Sequence, residues 1–299
     1  MKDRHDEIED ARQHRPLRGI ALATIGIGCI TFNDALMKLV VDEHPIGQAI
    51  FVRGIFTLVP IGLLLHRAGG LRVLRVHSWR LQFWCAALLV GPLFLFVYSI
   101  SKLPLSVATI ISFTNPLFVT LLAPWVLSER VDIRRLGAVV VGFAGVICIV
   151  QPGGASFELI ALGPLTVALL TAVRELVLRV ALARDTSESM LLISTVSVTL
   201  IALATWPLGW PALSAVDFVL LAGAALGFGF GIYASTEALR FADASLLSTF
   251  KYTGVVWALI LAFLFWGDIP GPLMLLGAAL ITVSGLYVLA RERRTTQRD

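Results

Sequence analysis

Charge is what this sequence has least of. Only 15% of its 299 residues are Asp, Glu, Lys or Arg, where a soluble domain carries about a quarter. A chain that is 57% hydrophobic, with a mean hydropathy of +0.85, cannot clothe a water-facing surface, so most of its solvent is lipid. Other absences narrow the function. No HExxH, Walker loop, nucleophile elbow or acidic metal cluster occurs, so no metal, no cofactor and no enzyme activity is expected. All five histidines (His5, His14, His44, His66 and His77) fall in loops or termini. Cys29, Cys85 and Cys148 each lie deep in an apolar run, without metal-ligand spacing or an evident disulfide partner, and read as packing residues. The net charge of +4 does not imply nucleic acid, because the basic residues form no single patch. The mixed-charge residues 1–17 precede an apolar run too long for a signal peptide.

What is present is a series of ten apolar runs, near 18–41, 46–65, 82–101, 104–127, 135–150, 157–180, 188–208, 215–240, 244–266 and 272–290. Most reach the roughly 20 residues that a helix needs to cross about 30 Å of hydrocarbon. The fifth is short and borrows from its flanks. No barrel alternation appears, so the expected fold is an all-α polytopic membrane protein. Basic residues concentrate in the N-terminal segment, in alternate loops (Arg67, Arg72, Arg75 and Arg80; Arg130, Arg134 and Arg135; Arg184; Arg240) and in the tail, while the opposite loops offer only Lys102. This asymmetry predicts that both termini are cytoplasmic, and it demands an even number of helices. Six of the seven tryptophans sit near run ends; Trp257 lies near mid-helix.

Three matches suggest that the chain repeats itself. Leu105-Ser106-Val107-Ala108 and Ala244-Ser245-Leu246-Leu247 open runs four and nine at an offset of 139, which also carries Ser128-Glu129 onto Gly267-Asp268. Gly137 and Gly145 match Gly277 and Gly285 at 140. Asp34 and Lys38 match Glu175 and Arg179 at 141. Each half holds an odd number of helices, five, so the second must insert upside down, an arrangement used by secondary transporters. The expected organisation is a cytoplasmic segment 1–17, a first five-helix unit 18–152, an inverted second unit 153–290 and a cytoplasmic tail 291–299.

The segment Tyr98-Ser-Ile-Ser-Lys-Leu-Pro-Leu-Ser106-Val-Ala, with Thr114-Asn-Pro116 and Leu127-Ser-Glu129-Arg130, resembles the fourth-helix signature of the drug/metabolite transporter superfamily, EamA type. Thr31-Phe-Asn33-Asp34 through Lys38, with Arg53 beyond, is similar to that family's opening, and Gly137 through Gln151-Pro152 to its fifth helix and exit. The resemblance covers about 18–290 and is stronger in the first half; in the second, Asp268 stands where a glutamate is usual. It implies ten helices in a bacterial cytoplasmic membrane and movement of small metabolites, amino acids among them and often outward.

Charge within lipid points to function, because an ionised side chain near a helix centre costs about 2.5–3.5 kcal/mol on insertion scales. Asp34, Lys38, Arg53, Arg174, Glu175, Arg179, Glu237 and Lys251 fall within the runs. Asp34–Lys38 and Glu175–Arg179 are spaced to bridge along one helix face. They serve either to neutralise each other or, with Glu237, as gating or coupling groups. Arg174, Glu175 and Lys251 either line a water-filled cavity or form buried ion pairs. Asn115-Pro116 interrupts run four, where proline frees a carbonyl and asparagine can meet a polar cargo. Asn33, Tyr98, Tyr252 and Trp257 complete the candidate cavity set, and Lys251 is expected to face the cavity with Asn115 and Tyr252. Gly223, Gly227 and Gly231 form a stripe for close helix packing. The expected partners are a small-molecule substrate and the lipid bilayer, with no nucleic acid and no subunit partner required. The reading is a carrier; a passive channel and an intramembrane lipid-modifying enzyme stand as its alternatives.

Overall fold

The computed structural model describes residues 16–74, 76–127, 133–151, 159–182, 185–242 and 244–296. Among them every regular element is helical: α1 (Pro16–Val41), α2 (Ile46–Ala68), α3 (Trp79–Lys102), α4 (Leu105–Ser112), α5 (Asn115–Leu127), α6 (Ile133–Val150), α7 (Leu162–Leu182), α8 (Ser187–Leu203), α9 (Ala215–Ala238), α10 (Ala244–Phe250), α11 (Thr253–Trp266) and α12 (Pro272–Thr296), with three short 3-10 turns. Lipid leaves an exposed backbone no partner but itself, which is why apolar runs of this length close into helices. Nine helical spans among the described residues are long and apolar enough to cross a bilayer, one of them running through α4 into α5. α10 and α11 together cover the remaining run. Counting α10–α11 as a tenth alternating crossing, Pro16 and Thr296 lie at one end of the bundle, called here the terminal end; the other is the far end.

Small residues set which helices touch. Lipid supplies no hydrophobic drive between helices, so close backbone approach and its dispersion energy take that role. Gly223, Gly227 and Gly231 all face α1: a Cβ on them would meet Leu36, the Cys29 carbonyl and the Gly26 carbonyl, the last at 2.7 Å. The expected stripe is therefore the seam of the α1–α9 pair. Gly145 and Gly277 similarly bring α6 and α12 together. α3 packs on α7, α2 on α8, and the two interrupted crossings lie between these pairs. The span Leu105–Leu122 is 56% buried, against at most 39% for any other; the broken crossing runs through the middle of the bundle. The cysteines are free thiols.

Both ends are tied by polar contacts. At the far end Ser214 and Asp217 form a capping box on α9, and Asp217 also meets His44 at 3.1 Å. At the terminal end the buried Asp185 carboxylate accepts from the His77 backbone N–H (2.6 Å) and the Gln82 amide (3.0 Å), joining the approach to α3 to the start of α8.

Candidate functional site

The two helical breaks build the site. Run four is not merely kinked at Pro116; α4 ends at Ser112 and α5 begins at Asn115. Run nine breaks at Lys251-Tyr252, where no proline lies. The same bond holds both interruptions: Thr114 Oγ1 donates to the Ile111 carbonyl and Thr253 Oγ1 to the Phe250 carbonyl, each at 2.7 Å. A threonine hydroxyl that bonds three residues back competes with the helix ladder, although Ser284 makes the same bond inside the unbroken α12. Thr114 and Thr253 are 139 residues apart, as are Phe113 and Tyr252 before them. Those two aromatics meet, ring centroids 5.6 Å apart and tilted by 36°. Glycine makes room for the crossing. A Cβ on Gly254 would lie 2.6 Å from Phe113 Cζ, and one on Gly285 would overlap the Tyr252 hydroxyl.

Glu175 faces this crossing from α7. With the Asn115 carboxamide oriented to suit its neighbours, Nδ2 donates to Glu175 Oε2 at 3.1 Å and Oδ1 accepts from the Ala172 N–H at 3.1 Å. Glu175 also lies in electrostatic range of Tyr252, whose buried hydroxyl has no partner. Three predicted residues, Asn115, Glu175 and Tyr252, therefore converge with Phe113. Sequence reasoning missed Phe113, although the Phe-Thr and Tyr-Thr dipeptides at one offset carried the signal. The group offers a carboxylate, an unmet hydroxyl and aromatic faces at mid-bundle, which suits a small molecule bearing a cationic or donor group beside apolar surface.

The other candidates lie elsewhere. Lys251 sits in the second interruption itself, exposed. Arg174 turns to α3, where Nε donates to the Cys85 carbonyl at 3.3 Å. Trp257 clamps α11 onto α1, with Nε1 donating to the Thr24 carbonyl at 3.1 Å above Gly28. Tyr98 is 43% exposed on α3. Glu237 pairs with Arg240 at 3.2 Å, a contact at the end of α9. Arg179's side chain, Ser128-Glu129, Arg130 and Arg184 lie outside the described residues. The Asp34–Lys38 bridge does not form. Lys38 instead donates to the Ile100 and Leu103 carbonyls of α3's last turn, the latter at 3.1 Å, stands 3.9 Å from Asp42 and lies over the Trp266 ring. Four-residue spacing permits the bridge, but free carbonyls at a helix C-terminus are the stronger attraction for a buried ammonium. Asp34 accepts from Asn33 and is the electrostatic neighbour of Arg53.

The halves of the broken crossings are not equivalent. At the far end α4 and α11 pack together. At the terminal end, α5 and α10 pack less extensively than this among the described residues.

Residues 17–151 match the EamA-like transporter family. Named transporters are similar to this chain over most of its length. Similarity to its relatives runs through both halves. An S-adenosylmethionine uptake transporter of Rickettsia prowazekii is 23% identical over 284 residues, covering 93% of this chain and 95% of that one. A pseudopaline exporter of Pseudomonas aeruginosa is 26% identical over 89% of this chain and 94% of its own, and a riboflavin transporter of Vibrio cholerae 24% identical over 96% and 98%. A solved crystal structure superposes with a TM-score of 0.61 at 21% identity, covering 92% of this chain and 98% of that one, a likeness of fold. The chain is thus a multi-pass membrane protein with transporter relatives, and those named differ in cargo and direction.

Proposed function

We propose that this chain is a secondary carrier that moves small zwitterionic metabolites, amino acids and their derivatives foremost, out of the cell across the cytoplasmic membrane by alternating access. The observation that carries the reading is the meeting of two interrupted helices at Phe113 and Tyr252 beside Glu175. Discontinuous helices crossing near mid-membrane are how inverted-repeat transporters present a binding site. The inverted repeat finds support in the helix pairs. Exchanging the halves turns the α1–α9 pair into α7–α3 and α11–α1 into α5–α7, and it maps α2–α8 and α6–α12 onto themselves, all of which pack. Weaker pairs do not all follow the exchange, α4–α11, α1–α3 and α5–α6 among them. A repeat whose two ends close in turn is what alternating access requires. Because basic loops crowd the terminal end, that end is read as cytoplasmic.

The test is a proteoliposome flux screen with amino acids, sugars and organic cations, on wild type and Glu175→Gln. We expect flux of a zwitterion or cation that falls at least about tenfold in Glu175→Gln, the loss of one charge-assisted bond of about 1.5–3 kcal/mol, with protein yield unchanged. Flux of neutral sugars alone, or full activity in Glu175→Gln, contradicts it.

A further inference from the structure

A second charged group lies between α1 and α2, apart from the aromatic crossing. Asp34 and Arg53 are electrostatic partners of opposite sign within the bundle, yet they form no direct ion pair among the described residues. Arg53 is 8% exposed, and its Nε is buried with no acceptor among the described residues. Its guanidinium rests 4.7 Å over the Phe228 ring of α9, which fixes the plane of the fork without satisfying a single N–H. Asn33 is 2% exposed; it donates Nδ2 to Asp34 Oδ1 at 2.8 Å, and its own Oδ1 is buried and unmet.

Such an arrangement is costly as a purely structural feature. Opposite charges attract strongly in a low-dielectric interior, and a structural pair gains most by closing. Buried donors and acceptors are normally satisfied. Here the two charges stand apart, with an unmet donor on one and an unmet acceptor beside the other. A ligand that carries both charges satisfies all of them at once. The planar guanidinium matches a carboxylate in a two-bond fork, and the Asp34 carboxylate with Asn33 Oδ1 offers two acceptors to an ammonium.

We propose that Asp34, Asn33 and Arg53 form a two-charge subsite, in which Arg53 takes the carboxylate and Asp34 with Asn33 the ammonium of a molecule with an α-amino-acid end. That the molecule is cargo rests on the carrier reading above; that it binds here does not. Arg53, rather than Arg174 or Lys251, is then the residue that demands an anionic group.

The experiment is thermal unfolding of the purified full-length protein with a panel of free α-amino acids, each beside its α-amide and its N-acetyl derivative. At least one amino acid raises Tm by on the order of 5 °C at about 100 times its Kd. Its amide and N-acetyl forms do not, and Arg53→Met and Asp34→Asn each lose the shift. Arg53→Lys, which keeps the charge but not the fork, retains only part of it and serves where Arg53→Met fails to fold. The proposal is overturned if no α-amino acid shifts Tm, if the amide works as well as the acid, or if Asp34→Asn and Arg53→Lys respond like wild type. Binding of this pattern without flux in proteoliposomes removes the carrier reading and leaves the subsite. Flux without this pattern does the reverse.

Discussion

At the scale of single residues, the account turns on contacts that leave no slack. Gly285 gives its space to Tyr252, so Gly285→Ala forces the tyrosine or α12 to move. The expected cost is about 1–3 kcal/mol, as for other overpacked cores. Tyr252→Leu, which removes the hydroxyl and the outer ring carbons, should make the alanine tolerable. Unfolding of the single and double variants in detergent measures the coupling, expected at about 1–2 kcal/mol; equal cost with either residue at 252 contradicts the contact. Lys38 supplies a second case. It caps carbonyls of α3, while Asp34 accepts from Asn33. Lys38→Met should lose about 1–3 kcal/mol by stranding those carbonyls. Its effect should add to that of Asp34→Asn within about 0.5 kcal/mol, because the two share no partner. A strong coupling between them would restore the helix-face bridge that their spacing suggests.

Among elements, the informative contact is α4–α11, which pack at the far end more extensively than α5 and α10 do at the other among the described residues. Gly254 sits in the packed pair, against Phe113. Gly254→Ala should loosen the far-end closure. With Cys29, Cys85 and Cys148 replaced by alanine and Thr253 by cysteine, a membrane-impermeant thiol reagent added from the far side should label Gly254→Ala faster than its parent; no change in rate contradicts the closure. The helices themselves were legible in the sequence, because a run of about 20 apolar residues has no other fate in lipid. The glycine stripe on α9 was legible for the same reason that it works: three glycines at four-residue spacing leave one helix face bare. The breaks were only half legible. Pro116 announced the first, but the second lies at Lys251-Tyr252 without a proline, and the device common to both is a threonine bonding its own backbone. That choice depends on the local competition with the helix ladder, which residue type alone does not decide.

Across the whole molecule, spacing along one helix predicted partners less well than packing between helices did. Asn115, Glu175 and Tyr252 come together from three different spans. Asp34 and Lys38, one turn apart, do not pair, because the end of α3 offers Lys38 a better partner. The charges inferred from cost in lipid take partners that only their neighbours reveal: Arg174 bonds a carbonyl of α3, Glu237 bonds Arg240, and Arg53 Nε has no acceptor among the described residues.

The central claim is that one site, at the crossing of the broken helices, is reached alternately from the two ends. Counterflow tests it most directly. Proteoliposomes preloaded with unlabelled cargo, identified by the flux screen, should take up labelled cargo several times faster than empty ones, because the loaded site returns more readily than the empty one. They should also overshoot equilibrium transiently. Uptake that is indifferent to internal cargo, and that rises to equilibrium without an overshoot, is the behaviour of a channel and would contradict the account.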